Sequence, residues 1–506
     1  MKQSNVRKVS LILTLLLAAS SIAACGDGKN ADETSENDTV TTSANMTGEQ
    51  DEFSGMDLGG QEIRIYTSTN DPGGVGNSNY LIEGPEEETG DIVQDSAFFR
   101  NRSVEEFLNV KLIYSEYDVN YEGVSDEISK LVMSGDDLYD IIIADLFPIA
   151  GLSTGGYFRN IANAPYIDTT QDYWYDGYMS ELSLDGKKEY ILAGDYFIDI
   201  LRSAHALYFN KDLLEAHTGD GDALYKDVLD NKWTFDAFLG YVDGFYSDLN
   251  GNSKRDIEDQ YGYVVFQTWG PMIPFLVSAD LQLTEKTADG RLKLAMNNEN
   301  SVRLLEMLNK IFYSDGTCIT NRMGFDDTTA QQPQNNMFRD GRALFLGYNR
   351  LGSMEELRDV EFELGILPYP KFDKNQKEYV SSSHDTTEIG VIPVTCQNFE
   401  NVCAALEVLN RETAKLVIPA YYETGLKVKY SRDDYSSQMI DIIHGNIGGS
   451  FALAYSCNCD NIFQSATFND PVFYNSNDFA SNYAKYEAAA QVKLDKLVED
   501  FSSLDE

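Results

Sequence analysis

The chain has 506 residues, with 39 basic and 82 acidic side chains and a formal net charge of −43 at pH 7. A charge of this size repels phosphate backbones and anionic lipid headgroups, so it argues against nucleic-acid binding. The length allows two or three domains with sizeable cores. The 31 Tyr and 26 Phe fit such cores. The Tyr content also suits a site for flat, hydroxylated ligands, since the ring stacks and the hydroxyl hydrogen-bonds.

The N-terminus is predicted to be an export signal. Basic residues precede an apolar run from Leu11 to Ala19, which is too short for a comfortable membrane span. The sequence Ile-Ala-Ala-Cys that ends at Cys25 then resembles the lipobox of bacterial lipoproteins. We therefore expect residues 1–24 to be a lipoprotein signal peptide and Cys25 to be lipidated, which holds the protein at the outer face of the bacterial cytoplasmic membrane. The alternative is an ordinary secretory signal in which Cys25 is incidental.

Residues 25–56 are predicted to be a disordered tether, because they are rich in Asp, Glu, Ser, Thr and Asn and hold almost no large apolar side chains. The folded part then begins with alternating strands and helices, which predicts right-handed βαβ units and an α/β fold with a parallel sheet. The first helix is expected to bury Val93, Ala97, Val104 and Phe107. The first five elements are strand 61–66, helix 91–108, strand 110–114, helix 125–134 and strand 140–144.

The rest of the sequence continues this pattern of short buried strands and amphipathic helices. Trp233 opens a helix predicted over 233–245, with Thr234 as its N-cap. Phe338–Tyr348 predicts the end of a helix followed by a short buried strand. The other strands are predicted over 190–193, 206–209, 264–266 and 388–394, and the other helices over 300–312, 398–410 and 480–501.

Four motifs resemble a known family through their order and spacing. They are the strand-containing Leu138–Asp145, the Tyr-Phe-Asn-Lys-Asp-Leu-Leu run of Ala206–Leu214, the helix start Trp233–Asp236, and the Phe-x-x-Gly-Arg-Ala run of Phe338–Phe345. On these motifs the chain resembles the extracellular solute-binding proteins (family 1) of ABC importers, in the branch that includes maltose- and oligosaccharide-binding members. The resemblance covers about residues 60–420.

The resemblance implies an α/β, two-lobe, periplasmic-binding-protein-like (type II) fold with discontinuous lobes and a hinge. It implies a binding protein and not an enzyme: a monomer that captures a carbohydrate, in particular an oligosaccharide, by hinge closure and delivers it to ABC permease subunits in the membrane. A surface-tethered glycoside hydrolase and an adhesive protein stabilised by calcium are the alternatives. Carried over to this chain, lobe 1 comprises 57–200 and 393–430, lobe 2 comprises 205–375 and 435–506, and the crossings lie near Leu201–His205 and Tyr379–Ile389.

The resemblance also places a ligand in the cleft between the lobes, where loops at strand ends converge. Aromatic side chains there would stack on sugar rings, and planar polar side chains would hydrogen-bond adjacent hydroxyls. Ser381–Asp385, at the second crossing, is a weaker candidate. The predicted ligand contacts are Tyr66, Thr67, Asn70, Asp145, Phe147, Gln267, Trp269, Tyr348, Asn349 and Arg350.

The segment Asp248–Asp259 has the oxygen spacing of an EF-hand loop, which predicts a structural Ca²⁺ site without a role in catalysis. Ser253 replaces the usual Gly in the middle of this loop, and Asp259 replaces the usual final Glu. A solvated Asn-Gly turn is the alternative. The predicted ligands are Asp248, Asn250, Asn252, the backbone carbonyl of Lys254, Asp256 and Asp259.

Catalytic and disulfide patterns are weak. Gly151–Gly155 formally fits the G-x-S-x-G turn of serine hydrolases, but it does not follow its strand directly and does not open a strong helix. After Cys25 an odd number of cysteines remains, so they cannot all pair. We expect most of them to be reduced, small apolar residues, and a Cys396–Cys403 disulfide is the alternative.

Overall fold

The computed structural model describes only part of the chain. Gly55–Glu506 form one compact unit, and the elements below belong to it. The predicted signal peptide, Cys25, nearly all of the predicted tether, Asn70 and Trp269 lie outside the described residues. The described residues are 52–68, 79–119, 123–184, 186–268, 270–288, 291–326, 328–384, 386–430 and 433–504.

Strands and helices alternate along most of the described chain. The strands are β1 (Gln61–Ser68), β2 (Val110–Tyr117), β3 (Ile141–Asp145), β4 (His205–Asn210), β5 (Tyr261–Val265), β6 (Thr284–Lys286), β7 (Leu292–Leu294), β8 (Thr317–Ile319), β9 (Ala343–Arg350), β10 (Leu364–Leu367) and β11 (Glu388–Val391). None of the described helices has the length and apolar character that a membrane span requires. The helices are α1 (Asn79–Ile82), α2 (Ile92–Leu108), α3 (Val124–Met133), α4 (Leu146–Ser153), α5 (Asp176–Leu182), α6 (Asp199–Arg202), α7 (Lys211–Thr218), α8 (Ala223–Leu229), α9 (Phe235–Val242), α10 (Ile273–Ser278), α11 (Glu299–Phe312), α12 (Gln331–Arg339), α13 (Met354–Leu357), α14 (Phe399–Glu412), α15 (Asp434–His444), α16 (Phe451–Ala454), α17 (Asp470–Phe473) and α18 (Phe479–Ser503).

The first sheet is built mainly from the N-terminal part of the described chain and has the strand order β11-β3-β1-β2. Strand β1 pairs in parallel with β2 and β3, and β11 runs antiparallel to β3. Ile63 and Ile65 of β1 and the three isoleucines of β3 are fully buried, as expected for parallel strands covered on both faces. The predicted alternation of strands and helices over 61–144 is confirmed.

The second sheet has the strand order β10-β4-β9-β5-β8. Strand β5 runs parallel to β8 and β9, whereas β4 is antiparallel to both of its neighbours. Helix α9 packs nearby and begins at Thr234, whose side chain accepts a hydrogen bond from the Ala237 N–H at 3.3 Å, so the predicted N-cap is confirmed. The adjacent Trp233 is fully buried and donates its indole N–H to the Pro368 carbonyl at 2.9 Å.

The chain passes from the first sheet to the second between β3 and β4, and returns between β10 and β11. These two passages pair with each other near their ends. The His205 N–H donates to the Ser382 carbonyl at 2.8 Å, and the His384 N–H donates to the Ser203 carbonyl at 2.9 Å. We call Ser203–His205 and Ser382–His384 the paired hinge segments. They overlap the predicted crossings, while the extents of the two lobes stay a prediction.

The predicted core face of α2 is wrong at one position. Val93, Ala97 and Val104 are buried as predicted, but Phe107 is 37% exposed. Its ring faces outward, where the Arg411 guanidinium lies 5.0 Å from the ring centre. The neighbouring Leu108 is fully buried in its place.

The predicted strand over 190–193 is also wrong. Only Leu192 pairs, through two backbone hydrogen bonds with Gly390 of β11. The carbonyls on either side bond elsewhere: Glu189 accepts from the Ile161 N–H at 2.7 Å and Ala193 from the Tyr175 N–H at 3.0 Å. The pairing with β11 therefore does not extend.

Cys318, Cys396, Cys403 and Cys459 carry free thiols, so the alternative Cys396–Cys403 disulfide is not formed. Burial raises the pKa of Cys318, Cys396, Cys403 and Cys459 to about 12. These four thiols therefore stay protonated and act as small apolar side chains, as predicted.

The long C-terminal helix α18 ends on a buried ammonium group. Lys188 is 8% exposed and donates to the carbonyl oxygens of Phe501 at 3.0 Å, Ser502 at 2.9 Å and Leu504. Carbonyls at a helix C-terminus lack intrahelical donors and carry the negative end of the helix dipole. Lys188 therefore fastens the segment before β4 to the end of the described chain.

Lys188→Met should lower the free energy of unfolding by about 2 kcal/mol, because it removes charge-assisted hydrogen bonds and leaves buried carbonyls unsatisfied. Denaturant unfolding followed by circular dichroism measures this loss. Lys226→Met is the matched control, since Lys226 pairs with Asp220 while about half of its side chain is exposed, and it should cause no measurable change. Equal losses in the two variants would show that Lys188 has no special role.

Candidate functional site

The carboxyl ends of β5, β8 and β9 and the first residue of β4 meet at one edge of the second sheet. Ligands of α/β proteins bind at such edges. Two adjoining cavities of about 240 Å³ and about 40 Å³ open there, beside the paired hinge segments. We call them together the cleft site. Larger hollows elsewhere, such as one of about 720 Å³ beside Phe362, touch neither hinge segment. The cleft site is lined by Asp199, Arg202, Ser203, Thr268, Gly270, Gln331, Asn335, Tyr348, Asn349, Arg350, Gly352, Ser353, Glu356 and His384.

Tyr348 is placed in the cleft site by an irregularity in β9. The pairing of β4 with β9 shifts between Ala206 and Tyr208, which leaves Gly347 and Tyr348 opposite a single residue. Tyr348 adopts a φ of 51°, in the left-handed region that costs a non-glycine residue about 1 kcal/mol or more. Its backbone N–H donates to the Tyr369 hydroxyl at 2.9 Å. Bulges of this kind redirect side chains next to functional sites.

The ring of Tyr348 is enclosed on several sides. Its hydroxyl lies 2.8 Å from Nε2 of His384, and the Phe266 ring meets it edge-on at 5.5 Å. Nδ1 of His384 accepts a hydrogen bond from the Thr386 N–H at 3.2 Å. Because a backbone N–H can only donate, the imidazole proton is on Nε2, and His384 donates to Tyr348.

His205 forms the floor beneath this ring. The two rings are stacked with centres 5.3 Å apart and planes at 26°. His205 is 1% exposed, and its Nδ1 lies 2.8 Å from the Ser382 hydroxyl. Burial lowers the pKa of His205 well below its usual value, and His384 and Arg350 lower it further. The imidazole is therefore neutral at physiological pH.

The structure brings only part of the predicted ligand set into the cleft site. Tyr348, Asn349 and Arg350 line it, and so does His384 from the weaker candidate Ser381–Asp385. Asp145 ends β3 opposite Glu388, and Phe147 is half-buried in the first turn of α4.

The other described candidates are turned into the protein. The Tyr66 hydroxyl donates to Glu127 at 2.8 Å, and Thr67 is fully buried. Gln267 is 2% exposed, and its side-chain oxygen accepts from Arg322 at 2.9 Å. In this arrangement these three side chains do not reach the cavities, and their role as ligand contacts stays a prediction.

Several cleft residues have no counterpart among the predicted contacts. Gln331 and Asn335 come from α12, where a spacing of four residues places them on one helix face. Ser353 and Glu356 follow β9 in a short helical segment. These residues come from helical segments, whereas the predicted contacts lie at strand ends. The polar spacing in α12 is a sequence signal for Gln331 and Asn335 alone.

The predicted calcium loop has much of the expected backbone shape. The Asp248 carboxylate accepts from the N–H groups of Gly251 at 2.7 Å and Ser253 at 2.9 Å. Ser253 adopts a φ of 60°, the conformation that Gly supplies at this position of an EF-hand loop. The amide of Asn252 donates to the Asp256 carboxylate at 2.7 Å, so these side chains converge.

Asp259, the predicted final calcium ligand, is turned into the protein. It is fully buried, and its oxygens accept from the Tyr246 hydroxyl at 3.0 Å and from the N–H groups of Leu249 and Asp256 at 3.2 Å. Among the described residues, no group of three or more His, Cys, Asp or Glu is arranged to hold a metal ion. A calcium site on Asp248, Asn250, Asn252, Asp256 and the Lys254 carbonyl stays a prediction.

The G-x-S-x-G match is a helix end and not a nucleophile turn. Ser153 is the last residue of α4 and is 1% exposed. Its hydroxyl donates to the Ile149 carbonyl at 2.9 Å. A serine nucleophile needs an exposed hydroxyl on a sharp strand-to-helix turn, so this site has no such arrangement.

No protein-family model matches the chain, and no curated protein matches it either. Solved structures do resemble it. A galacto-N-biose-/lacto-N-biose I-binding protein of the ABC transporter from Bifidobacterium longum, in complex with lacto-N-biose, has 12% identity and a TM-score of 0.52, over 88% of this chain and 99% of that one. A cyclo/maltodextrin-binding protein complexed with maltotetraose has 11% identity and a TM-score of 0.51, over 88% of this chain and 97% of that one.

An ABC substrate-binding protein from Listeria monocytogenes in complex with cycloalternan has 11% identity and a TM-score of 0.50, over 88% of this chain and 99% of that one. At these identities the likeness concerns the fold. The chain has the α/β, two-lobe, periplasmic-binding-protein-like fold, and the predicted fold class is confirmed.

Gly270→Ala should displace the Tyr348 ring and lower the free energy of unfolding by about 1–3 kcal/mol, because a Cβ at Gly270 would overlap the Tyr348 hydroxyl. Gly240→Ala is the control, since a Cβ at Gly240 meets no atom within 4 Å. That change lies within α9 and should be neutral or stabilising. In a Tyr348→Ala background the Gly270 change should cost much less. An undiminished cost in that background would show that the ring is not where we place it.

Proposed function

We propose that the protein is a solute-binding protein of an ABC transporter that captures a carbohydrate, in particular an oligosaccharide, in the cleft site and delivers it to permease subunits. One observation carries this proposal: the cleft site, which combines polar side chains with the aromatic ring of Tyr348, opens beside both hinge segments at the carboxyl edge of a sheet. The fold supports it, because two-lobe proteins of this kind close over ligands at such a position. The solved neighbours with which the chain shares its fold hold oligosaccharides.

The chemistry of the cleft site suits an uncharged polar solute. The cationic Arg350 and the anionic Glu356 line the larger cavity together, and Arg202 and Asp199 add one charge of each sign in the smaller one. Neither sign of charge dominates in this lining. A charged ligand would pair with the groups of opposite charge and leave the groups of its own charge without a counter-charge. Tyr348 offers a face for a sugar ring, and the planar amides and guanidinium groups match pairs of hydroxyls.

Binding without bond cleavage fits the carboxylates of the cleft site. A glycosidase needs two carboxyl groups that flank the scissile bond. Among the described residues, the carboxylates that line the cleft site are those of Glu356 and Asp199. Asp199 is fully buried and accepts from the Ser203 hydroxyl at 2.9 Å and the Glu388 N–H at 3.0 Å. The Oδ2 atom of Asp199 accepts both of these hydrogen bonds within the hinge. This favours a receptor over a glycoside hydrolase.

The proposed location follows from the N-terminal sequence. Lipid on Cys25 would hold the protein at the outer face of the cytoplasmic membrane, and the 25–56 tether would let a monomer reach its permease. A Ca²⁺ ion on the Asp248–Asp256 part of the loop would add stability, with the carboxylates of Asp248 and Asp256 supplying the negative charge.

A carbohydrate that binds should raise the melting temperature of the full chain without being consumed. Thermal shift with maltotetraose, lacto-N-biose, cycloalternan and a broad panel of other oligosaccharides measures this, and chromatography of the recovered sugar tests its integrity. At a sugar concentration 100 times its dissociation constant, the expected stabilisation is about 2.7 kcal/mol. Hydrolysis of the stabilising sugar would point to an enzyme, and a panel without any shift would argue against a carbohydrate receptor.

Tyr348→Ala should weaken binding of that sugar by roughly tenfold or more, because it removes the stacking surface. Isothermal titration calorimetry measures the dissociation constant. The matched control is Tyr313→Ala, whose hydroxyl bonds the Phe473 carbonyl away from the cleft site, and it should leave the affinity unchanged. If the unsubstituted protein, Tyr348→Ala and Tyr313→Ala bind the sugar with similar affinity, Tyr348 is not a ligand contact.

Calcium should stabilise the chain, and ethylenediaminetetraacetate should reverse the effect. A millimolar excess over a site of ordinary affinity is expected to add about 1–3 kcal/mol. Asp248→Ala should abolish the calcium response in differential scanning calorimetry, whereas Asp359→Ala, at an exposed carboxylate elsewhere, should keep it. Identical melting curves with calcium and with chelator would leave the loop as a solvated turn.

A further inference from the structure

Each of the paired hinge segments contributes one histidine to a cluster with Tyr348. The ring centres of His205 and His384 lie 5.3 Å and 5.2 Å from that of Tyr348, and 5.5 Å from each other. The chain has four histidines in all, so half of them meet here. The cluster joins the cleft site to the hinge.

The hydrogen bond between His384 and Tyr348 crosses from one part of the fold to the other. Tyr348 belongs to β9 in the second sheet, whereas His384 lies on the passage that returns to the first sheet. The two atoms are 2.8 Å apart. A lobe movement that shifts His384 relative to β9 would strain or break this bond.

The hinge also holds buried polar atoms that lack hydrogen-bond partners among the described residues: Nε2 of His205, the Ser381 hydroxyl and the Thr387 hydroxyl. These residues are at most 2% exposed. An unsatisfied buried donor or acceptor destabilises the arrangement that contains it. Three such atoms lie within a few residues of the same hinge. This is what we expect if the hinge makes further hydrogen bonds in a second arrangement of the lobes.

We propose that His384 is a positioning residue that latches the Tyr348 ring across the hinge, so that the pose of this ring and the arrangement of the lobes change together. His205 provides the flat surface on which the ring rests. The proposal rests on the function proposed above, in which a solute stacks on Tyr348. A solute that reorients the ring would release the latch, which couples occupancy of the cleft site to hinge motion.

Hydrogen–deuterium exchange of the ligand-free full chain tests the latch. Tyr348→Phe removes only the hydroxyl, and His384→Ala removes its partner. Each should speed exchange in peptides covering 201–205 and 379–388 by about fivefold, the factor that corresponds to the net stabilisation from one neutral hydrogen bond. The double variant should exchange no faster than either single variant, because both remove the same bond. His384→Gln keeps an amide N–H in reach of the hydroxyl and should restore slow exchange.

Peptides from α11 serve as the internal reference and should be unchanged in every variant. If His384→Ala unfolds the chain, the other two variants still test the latch. Tyr348→Phe must then speed exchange at the hinge, and His384→Gln must leave it slow. Additive effects in the double variant, unchanged exchange in Tyr348→Phe, or fast exchange in His384→Gln would each overturn the latch.

These measurements need no ligand, so they separate the latch from the proposed function. Calorimetry with maltotetraose and the rest of the panel reports carbohydrate binding independently. If a sugar binds but the variants do not change exchange at the hinge, the proposed receptor function stands and the latch is wrong. If the variants change exchange as expected but no panel sugar binds, the latch stands and the proposed carbohydrate ligand is wrong.

Discussion

The backbone pairing of Ser203–His205 with Ser382–His384 is the constraint on which the rest of the structure depends. It brings together the two passages that join the sheets. The same pairing fixes the start of β4, whose first residue, His205, lies opposite Arg350 at the end of β9. The register of β4 on β9 then determines which side chains of β9 face the cleft site. A slip of one residue would turn Tyr348 and Arg350 away from it.

The left-handed backbone conformation of Tyr348 depends on contacts from the surrounding structure. A left-handed tyrosine is unfavourable on its own, and such residues persist only where their surroundings over-determine them. Here the bulge is held by the Tyr369 hydroxyl on the Tyr348 N–H and by the Gln334 amide, which donates to the Gly347 carbonyl at 2.9 Å. These contacts come from different parts of the second sheet and its helices. The local conformational cost is therefore offset by tertiary contacts, and it places an aromatic ring where a solute is expected.

The sequence predicts the elements that depend on local patterns and misses those that depend on tertiary geometry. The isoleucine run of β3 and the Thr234 N-cap follow from apolar periodicity and capping chemistry, and both are confirmed. Phe107 was misassigned because neighbouring helix positions differ little in periodicity, while only the packed structure shows that Leu108 faces inward. The position of Tyr348 at the cleft site is predicted correctly because this residue lies at the end of a short buried strand in the sequence pattern. Gln331 and Asn335 were missed because the packing of α12 on β9, which no local signal encodes, brings them to the cleft site.

We propose that the two lobes close over a carbohydrate. The most direct test measures a distance between them by double electron–electron resonance. Spin labels at Met133→Cys in α3 and Leu229→Cys in α8, both at exposed positions, report the separation in a chain with Cys25→Ser and Cys457→Ser. We expect the distance distribution to shift to one shorter, narrower population when a stabilising oligosaccharide saturates the protein. An identical distribution with and without a sugar that binds would contradict the account.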